Sequence, residues 1–308
     1  MKVRSAYVAV SLLVLAPTLL AGCGGKTTDS GSKQAQVTVT AATDLAALVP
    51  ADVRGKGTIT VATDASYAPV EFSSDGGKTL QGLDIDLGNA IGKVLNLKVK
   101  FTNTKFDGIV AGVASKKFDL AMSAVTDTKQ REAGGVDFVD YFKAGTSIGV
   151  KKGNPLSIKA AMDLCGHKVA AEQGTVQLDD LQQATVDGAP SLKTQCTKAG
   201  RKSPTPVPLP DQNAVNSALL SGRADAFTAD SVVVQYQIKV TNGQIEQGGL
   251  TTAVAPYGIV LPKDSALRSA VQKAVQSLID DGSYTKILQT WGVTDGAITT
   301  ASVNGAVG

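Results

Sequence analysis

The sequence predicts an α/β protein built as two similar lobes, and three observations carry that expectation. Strand-like and helix-like stretches alternate along the chain, the pattern of βαβ units with right-handed crossovers. Phe118 to Val125 is almost continuously apolar, as a parallel strand buried on both faces would be. One local pattern also occurs twice. Ser115-Lys-Lys-Phe-Asp-Leu-Ala121 and Ser221-Gly-Arg-Ala-Asp-Ala-Phe227 both read as a helix end, a basic turn, an Asp and a buried strand.

Taken in order, the chain opens with Lys2 and Arg4 before an apolar run from Ala6 to Leu15, then Leu20-Ala-Gly-Cys23. That arrangement predicts a secretory leader over residues 1–22, too short for a spanning helix. Residues 23–56 are expected to form a flexible tether, because Gly24 to about Ala47 is rich in Gly, Ser, Thr and Gln without a sustained pattern. Loss of Lys2 and Arg4 with the leader takes the formal charge from +3 to +1, which gives no support to a nucleic-acid partner.

Gly57 to Thr63 reads as a strand with Ile59 and Val61 on one face, running into the turn Asp64-Ala-Ser-Tyr-Ala-Pro69. Leu87, Ala90, Ile91, Val94 and Leu95 then form the apolar stripe of a helix. Asp84 and Asp86 stand at its start, where carboxylates complement free N–H groups and the helix dipole. Leu97, Val99 and Phe101 alternate as a strand, and Phe106, Ile109, Val110 and Val113 return to helical spacing. The second cycle runs from the strand at Lys168 through Glu172 into Gln173-Gly-Thr175, and on to a helix capped by Asp211. Between them, Lys193 to Pro210 holds four prolines and is expected to be an irregular loop. A strand from Tyr257, a helix from Ser265 and a last helix ending near Trp291 complete the fold. Residues 297–308 are expected to be a disordered tail.

Secretion places the cysteines in an oxidising space, so Cys165 and Cys196 are expected to pair, worth roughly 3–4 kcal/mol in the chain-entropy model. No metal site is expected, since His167 is the lone histidine and no Cys-x-x-Cys occurs.

Gly82-Leu-Asp-Ile-Asp-Leu87, leading into its amphipathic helix, resembles the signature of the family 3 extracellular solute-binding proteins, the amino-acid receptors of ABC importers. The resemblance extends from Gly57 to Gly292. It implies the periplasmic-binding-protein type II fold: each lobe a βαβ-based, mostly parallel sheet flanked by helices, with two hinge crossovers near 144–148 and 253–256. Lobe 1 would comprise 57–146 and 254–296, lobe 2 residues 147–253. Met122-Ser-Ala-Val-Thr-Asp-Thr-Lys-Gln-Arg131 is similar to the stretch whose final arginine grips the α-carboxylate. Ser123, Thr126 and backbone near Ala124 would help it. Gly174 and Thr175 resemble the second-lobe carboxylate contact, and Arg223 to Asp230 resembles the segment ending in the ammonium-binding aspartate. Tyr67 and Phe106 match two aromatics that sandwich the ligand side chain. Ala124 stands where some relatives have serine, and Asp127 is charged where relatives are often apolar. Cys23, directly after Leu-Ala-Gly, resembles a lipobox cysteine that becomes diacylated. The resemblance thus implies a monomeric, cofactor-free receptor anchored at the outer face of the cytoplasmic membrane. Its partners would be a free amino acid and the permease and ATPase of an ABC importer.

The residues support the same placement independently. Ligands of open α/β sheets bind beyond the carboxyl ends of strands, which selects 64–67, 123–131, 172–175 and Asp230. A free amino acid needs a cation for its carboxylate and an anion for its ammonium, roles open to Arg131 and Asp230. Taken singly, Arg131 could be a solvated helix charge, Asp230 a helix cap, and Tyr67 and Phe106 core aromatics. Asp64 and Glu172 add negative charge, favouring arginine, lysine or ornithine over glutamine or another polar amino acid. An enzyme on the same fold, of the cyclohexadienyl-dehydratase kind, is the competing class, with Glu172 as its proton donor.

Overall fold

The computed structural model describes residue 2, residue 35, and residues 37–75 and 78–306. Cys23, the rest of the leader and the first part of the tether lie outside the described residues.

Two long antiparallel strands, Val136–Lys151 and Thr252–Pro262, form the spine. Their pairing shifts register between Thr252 and Ala255 and again between Tyr257 and Gly258. On one side of this spine lie Leu120–Ala121, Thr58–Thr63 and the edge strand Lys98–Asn103, mutually parallel. On the other lie Ala226–Asp230, Lys168–Glu172 and the edge strand Thr205–Leu209, again parallel. Ala226–Asp230 pairs antiparallel with the far half of Val136–Lys151. Each lobe is therefore a small sheet, parallel but for the shared spine strands, with helices packed on its faces.

The signature helix spans Leu83–Val94 and buries Leu87, Ala90, Ile91 and Val94, as its spacing predicts. Its two acids do more than cap it. The N-cap residue Gly82 makes no side-chain cap bond. Asp84 is fully buried and accepts from the Tyr141 hydroxyl at 2.7 Å and the Ala124 N–H at 3.0 Å. Asp86 accepts from the Ala35 N–H at 2.8 Å and the Trp291 indole at 2.9 Å. Buried carboxylates need such donors, and these donors come from four distant segments.

Four expectations are corrected. The expected tether is docked from residue 35 onward: Val37, Val39, Ala42, Leu45 and Val53 pack on the core, and short helices form at Thr43–Ala46 and Ala51–Lys56. Residues 297–306 of the expected tail are anchored as well. Ser302 donates to Asp140, Asn304 to Asp137, and Val303 bridges Val139. The stretch from Lys193 to Pro210 holds most of a helix, Leu192–Lys198, started by the Ser191 hydroxyl, and the strand Thr205–Leu209. Its Pro206 and Pro208 are tolerated because an edge strand needs no donors on its outer side. Finally, only Leu120–Ala121 of Phe118 to Val125 is strand. Beyond Met122 the chain turns away through Ala124, which takes φ +49°. Cys165 and Cys196 form a disulfide, with Cα atoms 5.7 Å apart.

Candidate functional site

The turn after Thr58–Thr63, the loop after Leu120–Ala121 and the ends of Lys168–Glu172 and Ala226–Asp230 meet at one pocket. Asp64, Tyr67, Glu71, Phe106, Arg131 and Asp230 line it, joined by Ala124, Thr126, Glu172 and Thr175. Of the eleven ligand-site residues expected from the sequence, nine belong to this lining; Ser123 is buried outside it and Gly174 is exposed outside it. Glu71, Val176 and Gln177 line it without having been expected.

Arg131 sits where both lobes can hold it. Its guanidinium donates to the Thr126 carbonyl at 2.7 Å and the Gly174 carbonyl at 2.9 Å, and lies 5.7 Å from the centre of the Phe106 ring. Burial lowers its pKa, opposed by Asp179, Asp230, Asp127 and Asp187. The backbone supports this position: Thr128 starts the helix Lys129–Ala133, and its hydroxyl accepts the Arg131 N–H.

Asp230 precedes the helix Ser231–Val240 but makes no side-chain cap bond, so its carboxylate belongs to the pocket. It accepts from the Tyr67 hydroxyl at 3.0 Å and from Gln177 Nε2 at 2.8 Å. Burial raises its pKa, and the hydrogen bonds and Arg131 oppose that. Tyr67 therefore orients the ammonium candidate across the cleft, a polar duty beyond the stacking expected of it.

On the other wall a chain of polar contacts fixes the acids. The Asp64 N–H donates to the Ser123 hydroxyl at 2.9 Å, and that hydroxyl donates to Glu71 at 3.0 Å. The Asp64 carboxylate accepts the Phe106 N–H at 3.0 Å. Glu71 is completely buried, and burial followed by the charge of Asp84 holds its pKa well above the usual carboxylate range. Glu172 has one buried oxygen without a partner. Burial first, then the charges of Asp64 and Asp211, push it up to about 9.

Two helper roles change. The Thr175 hydroxyl donates to the Glu172 carbonyl at 2.7 Å while starting the helix Val176–Gln182, so it is committed locally. The Ala124 N–H is likewise spent on Asp84. Gly174 instead serves by its lack of a side chain. It has φ +81°, and a Cβ there would come within 2.7 Å of the Asp107 Cα in the facing lobe. Around the pocket the lobes also touch through Lys105–Asp211 at 3.1 Å, Gln130 N–H to Asp187 at 3.0 Å and Gln212 N–H to Ser66 at 3.2 Å.

Four carboxyl groups and one guanidinium thus enclose the space. Among the described residues, no helix is long and apolar enough to cross a membrane.

Residues 59–294 match the model of the bacterial extracellular solute-binding proteins, family 3. The chain is 29% identical over 263 residues to the arginine-binding protein ArgT of Corynebacterium glutamicum, covering 85% of this chain and 83% of that protein. It is 28% identical over 240 residues to the L-cystine-binding protein TcyJ of Escherichia coli, covering 78% and 84%. Among solved structures, an ancestral arginine-binding protein bound to arginine superposes with a TM-score of 0.67 at 34% identity, covering 76% of this chain and 98% of that one.

Proposed function

Because the chain belongs to the bacterial extracellular solute-binding proteins, family 3, we propose that it is the receptor of an ABC importer for a cationic amino acid: arginine, lysine or ornithine. One observation carries the choice of ligand. The pocket's lining sets Asp64, Glu71, Glu172 and Asp230 against Arg131 alone. Arg131 takes the α-carboxylate and Asp230 the α-ammonium, which leaves three acids for the side chain. Burial and mutual repulsion raise the pKa of these enclosed acids, so a ligand bringing a distal cation stabilises their ionised form, whereas a neutral side chain does not. Phe106 offers the cation an aromatic face, worth about 0.5–2 kcal/mol. The arginine-binding names of two relatives point the same way.

In this reading the lobes close on the ligand about the two spine strands and present it to a permease and its ATPase. The mature protein works as a monomer held outside the cytoplasmic membrane by lipid on Cys23. It needs no cofactor and is not an enzyme. The dehydratase reading retains one supporting observation, the proton held by Glu172 up to about pH 9.

Calorimetric titration with arginine, lysine, ornithine and glutamine in one series tests the proposal. A cationic ligand is expected to bind most tightly. Glutamine binding more tightly than all three would overturn the cationic assignment.

A further inference from the structure

Asp127 lies in the loop that supplies Thr126 and Arg131, yet it does not line the pocket. Its N–H donates to the Pro256 carbonyl of the second spine strand at 2.9 Å. Its side chain is buried, the residue being 1% exposed, and neither carboxyl oxygen has a hydrogen-bond donor. Asp140, on the first spine strand, is 2% exposed. One of its oxygens accepts from the Ser302 hydroxyl at 2.7 Å, and the other has no donor. The two carboxyls lie within hydrogen-bonding reach of each other. Oxygen facing oxygen makes a bond only when a proton lies between them.

The surroundings offer no other means of neutralisation. Among the described residues, no Lys, Arg or His forms an ion pair with either group. Arg131 attracts Asp127 from a distance, but its guanidinium is turned to the Thr126 and Gly174 carbonyls. Glu132, from the helix Lys129–Ala133, repels both carboxyls and also comes within hydrogen-bonding reach of Asp127, but unlike Asp140 it has a cation of its own, Lys129 at 3.2 Å. The C-terminal segment contributes the Ser302 hydroxyl and the Gly305 backbone, neither of them charged. Two enclosed carboxylates in this setting cannot both ionise at modest cost.

We propose that Asp127 and Asp140 hold one proton in common and act as a carboxyl staple. It fastens the ligand-gripping loop to both spine strands and, through Ser302, to the C-terminal segment. The staple does not depend on which ligand the pocket takes. Burial and the neighbouring acids push Asp127 up to about 8 and raise Asp140 as well. The pair titrates as a unit. The folded chain therefore keeps a proton that the unfolded chain releases near pH 4. Its stabilising effect is complete below that pH and is lost as pH rises through about 8.

Thermal unfolding of the purified protein from pH 5 to pH 9 tests this, comparing the parent with Asp127→Asn and with Asp140→Asn. An amide supplies the donor permanently. Each variant's melting temperature is therefore expected to rise relative to the parent's as pH increases, by several degrees between pH 6 and pH 9. A variant–parent difference that is constant across the range would overturn the staple. Carbon-13 NMR of the aspartate carboxyls in the parent decides the matter even where a variant does not fold. A coupled titration of the two residues with a step near pH 8 supports a shared proton. Complete ionisation of both by pH 5 excludes it.

Discussion

Tyr67 and Asp230 are 163 residues apart and sit on opposite lobes, yet they exchange two hydrogen bonds. The phenol donates to the carboxylate at 3.0 Å, and the Asp230 N–H donates to the phenol oxygen at 3.1 Å. A hydroxyl from one lobe thus satisfies both the backbone and the side chain of Asp230 on the other. Tyr67→Phe keeps the ring and removes both bonds. A hydrogen bond to a charged group contributes about 1.5–3 kcal/mol, so arginine affinity should fall by roughly 10- to 150-fold. Calorimetry of the variant, with circular dichroism to show an intact fold, measures it. Unchanged affinity would leave Tyr67 with a packing role only.

Arg131 reaches two carbonyls on two lobes, and that geometry uses the fork of a guanidinium. Arg131→Lys keeps the charge and loses the fork. Affinity for arginine is expected to drop at least about tenfold, and Arg131→Ala should bring it below detection. Fluorescence titration against the parent distinguishes the cases. A lysine variant that binds as the parent does would show that charge alone suffices.

At Gly174 the backbones of the two lobes approach closely. Gly174→Ala would set a methyl against the Asp107 Cα and impose φ +81° on a residue that resists it. The open protein should fold normally, while ligand-induced closure is blocked. Small-angle scattering is expected to show compaction on arginine addition for the parent and none for the variant. Equal compaction in both would show that Asp107 yields to the methyl.

The Cys165–Cys196 bridge closes a loop with a sequence separation of 31. In the chain-entropy model that is worth ~3–4 kcal/mol. The double Cys→Ser variant should melt about 10 °C below the parent, at about 2–4 °C per kcal/mol for a chain of this size class. Differential scanning calorimetry with and without reductant checks it, since reductant should lower the parent to the variant's value. Insensitivity of the parent's melting temperature to reductant would show that the bridge adds no stability.

Much of this architecture is legible in the residues. The stripe from Leu87 to Leu95 and the strand-end rule lead to the Leu83–Val94 helix and to Asp64, Arg131, Glu172 and Asp230. What stays hidden depends on distant partners. Val70-Glu71-Phe72 looks like alternation with an exposed acid, and only the Ser123 hydroxyl and the neighbouring Asp84 explain its burial. Ile298, Ala301 and Val303 show no period, because side-chain bonds from Ser302 and Asn304 hold their segment down. Pro206 and Pro208 suggest a loop until the sheet order shows their strand at an edge.

That edge bears on how copies of the chain meet. A nine-stranded sheet ends in two rows of backbone groups able to template another chain. At one end Pro206 and Pro208 remove N–H donors from Thr205–Leu209, and at the other the exposed Lys98 and Lys100 put charge on Lys98–Asn103. A second copy of the chain would therefore meet one edge short of donors and another edge lined with charge, and neither favours sheet-to-sheet pairing.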